Sequence, residues 1–208
     1  MKRLVTLFAL FAATLAALAQ PPEEILARME EGLNKHDNSR IAMTIDIKFP
    51  ILGTISTRTY MIGDKMRTDA TMMGAKIITW SDGTTQWAYN DQENTLEIKN
   101  DNKKKTDSKK DGDVEMFEGI SDGYDVSIKK ETADEWYILC RKSRNNTDKD
   151  APKTMDVVVA KSDYHPVSLS AKMAGMTMTM REISFDVTEQ QVTFRREDYP
   201  GATVIDKR

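Results

Sequence analysis

Residues 41–49 read Ile41-Ala42-Met43-Thr44-Ile45-Asp46-Ile47-Lys48-Phe49. Apolar side chains occupy every odd position and small, polar or charged ones every even position, a period that suits a β-strand and no helix. The stretch predicts a strand with one apolar and one wet face, so another layer must cover the apolar side.

Downstream the same reading repeats. Residues 55–62, 66–72, 76–80, 85–89 and 95–99 are short β-branched and aromatic runs, separated by the turn signals Gly63-Asp64, Gly74, Asp82-Gly83 and residues 90–94. Residues 100–113 are rich in Lys and Asp and almost free of apolar side chains, which predicts a solvated loop. A short helix is expected at 114–120, with Met116, Phe117 and Ile120 as its apolar residues. Strands resume at 124–130, 135–142, 154–161, 167–173 and 176–181, and residues 191–195 are expected to form the last one before Tyr199-Pro200-Gly201. If Ala174-Gly175 is a two-residue turn, Met173 faces Met176, Ala171 faces Met178 and Leu169 faces Met180. The apolar parity then changes at Ile183, Phe185 and Val187, which predicts a bulge near Arg181-Glu182.

Upstream lies a different period. Pro21 and Pro22 open a helical stretch to about Asn34, with Glu23 and Glu24 in its first turn and Ile25, Leu26, Met29 and Leu33 on one stripe. Before it, Met1-Lys2-Arg3, an apolar run over 4–18 and Ala17-Leu18-Ala19 have the form of an export signal, with cleavage expected after Ala19. Gln20 rather than Cys stands immediately after that point, so a lipid-anchored product is not expected. Residues 20–208 are expected to be one domain. The fold class expected is mainly β with few helices. About ten or eleven strands form a strongly curved antiparallel sheet, an incomplete β-barrel, with a helical lid over an apolar concave face.

Composition narrows the function. In 208 residues, 30 Lys and Arg stand against 33 Asp and Glu, a net charge of -3 that gives no global attraction for nucleic acid. One Cys excludes an internal disulfide, and with two His it leaves too few ligands for an ordinary zinc site, so neither metal nor cofactor is expected. His36 follows the helix in a polar run, His165 lies in a Tyr-His-Pro turn, and Cys140 reads as a small hydrophobe in a strand. The chain holds no Gly-rich phosphate loop, no HExxH and no GxSxG. No enzyme is expected.

The positive signal is 13 methionines, more than the 10 Gly and double the 6 Phe or 6 Tyr. Methionine fills irregular space and repacks cheaply, which suits a cavity accepting varied apolar chains as well as an ordinary core. The residues expected to line such a cavity, or its lid, are Ile25, Met29, Leu33, Met43, Ile45, Ile47, Met61, Met72, Trp87, Tyr89, Met116, Phe117, Met173, Met176, Met178 and Met180.

Two segments resemble the periplasmic outer-membrane lipoprotein carriers, the LolA-like family. One is Ile77-Ile78-Thr79-Trp80-Ser81-Asp82-Gly83-Thr84-Thr85-Gln86-Trp87-Ala88-Tyr89-Asn90. The other runs from Val192-Thr193-Phe194 through Tyr199-Pro200-Gly201 to Ala202-Thr203-Val204-Ile205-Asp206. The order of signal segment, amphipathic helix, meander, helical insertion and further strands is also similar. The resemblance implies a monomeric periplasmic chaperone. It would take lipoprotein acyl chains from an inner-membrane ABC exporter, carry them in an apolar cavity and pass them to an outer-membrane acceptor. One departure concerns the Arg-Pro after the third strand through which the family holds its lid shut. Here Gly63-Asp64 stands at that turn with Lys65 and Arg67 nearby, and neither can be assigned that role from sequence. Two rival readings are a regulatory module on the same fold, sensing lipid or misfolded protein, and an envelope hydrolase using Asp163 and His165.

Overall fold

A computed structural model describes residues 20–35, 40–51, 53–101, 119–149, 151–173 and 175–208. Helix α1 (Pro22–Lys35) is followed by β1 (Arg40–Phe49), β2 (Gly53–Ile62), β3 (Lys65–Met72), β4 (Ala75–Ser81), β5 (Thr85–Asn90) and β6 (Thr95–Asn100). Then come β7 (Tyr124–Glu131), β8 (Glu135–Lys142), β9 (Thr154–Ala160), β10 (Pro166–Met173) and β11 (Met176–Ser184). A short helix α2 (Glu189–Val192), a 3-10 turn (Arg196–Asp198) and β12 (Thr203–Asp206) end the chain. The expected export signal, the 114–118 part of the expected insertion helix with Met116 and Phe117, and His36 lie outside the described residues.

All twelve strands form one curved, open sheet in the order β12-β6-β5-β4-β3-β2-β1-β11-β10-β9-β8-β7. It is antiparallel except for β12, which runs parallel to β6. The expected hairpin register is present, with Met173 opposite Met176, Ala171 opposite Met178 and Leu169 opposite Met180. So is the bulge: Ala42 pairs with Ser184 but Thr44 with Arg181, and Glu182 takes up the extra residue at a φ of 53°.

The wet face expected on β1 is corrected by the structure. Ile41, Ala42, Met43 and Thr44 are all buried, so this part of the strand is covered on both sides. Register explains it. Met43 and Ile41 belong to a core with Met180, Leu169, Val157 and Ile138, over which α1 lays Ile25, Leu26, Met29 and Leu33. That is the apolar concave face with its helical lid. Ala42 points the other way and packs with Ile62, Val187 and Val192. The pairs Ala42–Tyr60, Tyr60–Arg67, Arg67–Trp80, Trp80–Trp87 and Trp87–Ile98 carry this second face across β2 to β6.

The strand expected at 191–195 is also corrected. Residues 189–192 are helical, Thr188 N–H donating to Gln191 Oε1 at 2.8 Å, and the chain then turns through the 3-10 segment. Val192 and Phe194 alternate because both reach down onto the second face from a covering segment, Val192 against Ile62 and Phe194 against Trp87. The real last strand is β12, which adds a twelfth where ten or eleven were expected.

At the bulge, Arg181 Nε donates to Asp46 Oδ2 at 2.6 Å, Ser56 Oγ donates to the same carboxylate, and Thr44 Oγ1 donates to Glu182 Oε2 at 2.7 Å. The Arg181 hydrogen bond, then that of Ser56, holds the Asp46 carboxyl below its ordinary value.

Two outcomes follow. Ala42→Leu, which overfills the second face at β1, is expected to lower stability by about 1–3 kcal/mol in urea melts; an unchanged midpoint would contradict burial of both faces. Because Asp46 titrates lower when folded than unfolded, its stabilisation is complete above about pH 4 and lost as pH falls through its folded value. Asp46→Asn should therefore flatten the acid limb of stability, measured between about pH 6 and pH 3.

Candidate lipid-binding face and its helical cover

The face beneath α1 is built by period two. On β8, Trp136, Ile138 and Cys140 point inward; on β9, Met155, Val157 and Val159 face them. β10 adds Leu169 and Ala171, β11 adds Met178 and Met180, and β1 adds Ile41, Met43 and Ile45. α1 covers this surface because its buried residues are spaced by three and four, leaving Glu24, Arg28 and Glu31 outside. Farther along the same face the pairs Thr59–Thr68, Thr68–Thr79 and Thr79–Ala88 form a hydroxyl-bearing row beside the half-buried Met61 and Met66. The surface thus grades from aliphatic and thioether under α1 to threonine beyond it.

Of the sixteen residues expected at the cavity or lid, the structure gathers eight into or against this core: Ile25, Met29, Leu33, Met43 and Met180 buried, with Ile45, Met61 and Met178 packed on them. Ile47, opposite Met178 and Ile55, extends the same face, and Met176 sits near its end opposite Met173. Trp87 and Tyr89 lie on the opposite face, and they do not join the others. Trp87 stacks on Phe194 at 5.1 Å, and Tyr89 meets Tyr199 at 4.4 Å between ring centroids. Met72 and Met173 sit at hairpin tips and are partly exposed to solvent, outside the core.

Neither basic residue near Gly63-Asp64 reaches α1. Lys65 Nζ pairs with Glu189 Oε2 at 2.8 Å, while Arg67 forms a two-pronged contact with Asp69 at 2.7 and 2.8 Å and lies over the Trp80 ring. Lys65 therefore braces the C-terminal cover, while Arg67 is held among sheet residues of the second face. The helix is pinned elsewhere. Arg28 Nη1 donates to Tyr164 Oη at 3.2 Å and its guanidinium lies 5.3 Å from that ring's centroid; Tyr164 Oη in turn donates to Gln20 Oε1 at 3.1 Å. The Tyr164 ring stacks on Trp136 at 5.5 Å, with Lys161 Nζ on the indole at 5.5 Å. Glu30 Oε1 also accepts the backbone N–H of Ile120 at 3.2 Å. Sequence reasoning missed Tyr164 because it is a turn residue at a φ of 60°, with no periodicity to mark it. A cavity of about 70 Å³ remains beside this clasp, between Met29, Leu33, Tyr164 and Phe185.

The candidates for chemistry are engaged otherwise. His165 Nε2 is 2.9 Å from the carbonyl oxygen of Ile183, and Asp163 accepts the backbone N–H of His165 rather than its ring. Burial pushes the Cys140 thiol up to about 11, so it stays protonated and inert at neutral pH. No group of His, Cys, Asp and Glu able to hold a metal ion occurs among the described residues.

No family model matches the chain, and no curated protein matches it significantly. Among solved structures it is similar to an uncharacterized conserved protein from Thermus thermophilus, at 17% identity and TM-score 0.43 over 90% of this chain and 100% of that one. It is also similar to the lipoprotein LppX of Mycobacterium tuberculosis, at 10% and 0.48 over 83% and 100%. A third is a LolA superfamily protein from Nitrosomonas europaea, at 9% and 0.34 over 86% and 100%. The sequence motifs resemble the family named in the last of these.

Tyr164→Ala removes the ring that joins Arg28 to Trp136. Amides of α1 are then expected to exchange about tenfold faster while those of β8 and β9 keep their protection. Uniform loss of protection would mean that Tyr164 holds the whole domain rather than the helix.

Proposed function

We propose that this protein is an exported carrier that binds the acyl chains of lipids or lipoproteins between α1 and the concave sheet face, and performs no catalytic step. The observation that carries the reading is an aliphatic and methionine-bearing sheet face covered, among the described residues, by the amphipathic helix α1. That helix is held at its flank by a few polar contacts. Methionine side chains at Met29, Met43, Met61, Met178 and Met180 can change rotamer to open space for a chain at low cost. Each methylene transferred from water onto this face contributes roughly 0.8 kcal/mol, enough for a long chain to displace the helix contacts. The threonine row beyond Met61 offers hydroxyls to a headgroup or glyceride ester, orienting the chain.

The export-signal pattern at residues 1–19 and the LolA-like motifs support a periplasmic site of action. The same resemblance supports the partners: an inner-membrane ABC exporter as donor, an outer-membrane acceptor, and a lipoprotein cargo carried by a monomer. Release in this scheme is a movement of α1 away from Tyr164 rather than a chemical event.

The protein purified from the envelope, analysed by native mass spectrometry and lipid extraction, should carry acyl chains. Met61→Gln combined with Met178→Gln should weaken binding of a fluorescent fatty acid about tenfold with little change in melting temperature. A protein that binds no acyl chain in either assay would sink the proposal.

A further inference from the structure

Of the six exposed large hydrophobics among the described residues, Val204 and Ile205 lie on the edge strand β12 and the other four lie together. Ile51 is 95% exposed, Met73 fully so, Met72 48% and Met173 37%. Ile51 follows β1, Met72 and Met73 end the β3 side of the β3–β4 turn, and Met173 ends β10. In the sheet order β4-β3-β2-β1-β11-β10, these are the tips of three successive hairpins, all at one end of the sheet. Six neighbouring strands at about 4.8 Å spacing make a rim about 24 Å wide. The opposite end, at the Gly63-Asp64, Asp82-Gly83 and Ala133-Asp134 turns, carries no such residue.

The β3–β4 tip shows how unusual the arrangement is. Met72 pairs with Ala75, so Met73-Gly74 is a two-residue turn with φ of 52° and 86°. Such turns favour Asn-Gly, since a short polar side chain tolerates the left-handed conformation and meets water. Here a long thioether occupies that place and points into solvent.

Charge follows the same rim. Residues 48–54, 71–76 and 172–176 contain Lys48, Lys76 and Lys172 and no acidic residue. All three lysines are exposed and none is ion-paired among the described residues. On the β10 side the patch runs into a cleft of about 750 Å³ lined by Lys149, Lys153, Lys172 and Met173. On the β4 side it is bounded by Asp91 and Glu93 of the β5–β6 turn, where Asp91 accepts the backbone N–H of Lys76 at 2.7 Å.

We propose that this hairpin rim is a docking surface for a bilayer bearing anionic headgroups. Apolar tips small enough to enter the headgroup layer, ringed by unpaired cations, are what such a surface recognises. Three separate tips also set the molecule's orientation, standing the sheet upright on the membrane with the concave face opening along it. The inference rests on exposure and charge at the rim and holds whether or not the concave face takes acyl chains.

Cys140 is fully buried, so a cysteine placed on the surface can be labelled alone. In the full chain, Met73→Cys carrying an environment-sensitive fluorophore is compared with Ala133→Cys at the opposite end. Vesicles containing phosphatidylglycerol should shift the emission of the label at 73 to the blue, less so at high salt and little with phosphatidylcholine alone, and leave the label at 133 unchanged. Ile51→Asp with Met73→Asp should lower vesicle affinity at least tenfold with unaltered circular dichroism. The same variant should bind a soluble fatty-acid probe as the parent does, which separates the rim from the concave face. No response at 73, an equal response at 133, or indifference to vesicle charge overturns the proposal.

Discussion

Burial of β1 on both faces is the constraint on which the architecture turns. A sheet of twelve strands cannot leave an apolar surface in water, yet its apolar surface does not stay on one side. From β1 through β11 to β7 it is the concave face, covered by α1; from β1 through β2 to β6 it is also the reverse face, covered by the C-terminal segment. β1 is the seam, with Ile41 and Met43 serving one cover and Ala42 the other. The bulge at Glu182 lies at this seam. One extra residue on β11 shifts the parity after it, so that Ile183 and Phe185 join Met178 and Met180 in the core under α1, and beyond the end of the strand Val187 reaches the second face.

The two covers are attached in different ways. The C-terminal cover is stacked through Phe194 and Tyr199 onto Trp80, Trp87 and Tyr89, braced by Lys65 and Glu189, and then tied to the sheet edge as β12 beside β6. To lift it would break a strand pair and expose five aromatic rings. α1 has no strand pairing; its stripe rests on the core and its flank is clasped by Arg28, Tyr164 and Glu30. Of the two, α1 is the cover that can move while the sheet stays intact, and it lies over the more adaptable side chains.

Much of the fold was legible because period two survives every local accident. The strands from β1 to β11 and the Met173–Met176 register follow from alternation and turn residues alone. The 191–195 segment misled for the same reason: Val192 and Phe194 alternate as a strand would, but a cover pressed against a sheet also sends alternate side chains down. Within the candidate site, Ile25, Met29, Leu33, Met43 and Met180 were legible from their stripes. Trp87 and Tyr89 were not, because their facing depends on parity counted through hairpins from β1, and nothing local records it. Met72 and Met173 look like core residues in sequence, since apolarity at a strand end reads the same whether the end is buried or at a tip.

The sequence by itself determined the amphipathic helix, the meander, the hairpin turns, the bulge and the scarcity of groups able to do chemistry, since each depends on residues close together in the chain. Only the tertiary structure decided which half of which face each cover protects, that Tyr164 clasps the helix, and that three apolar tips share one rim. Those depend on strand order, which places β1 beside β11 and Tyr164 beside Arg28 across 136 positions of chain. Contacts of that length are set by how all the strands pair at once, and no local pattern of side chains carries them.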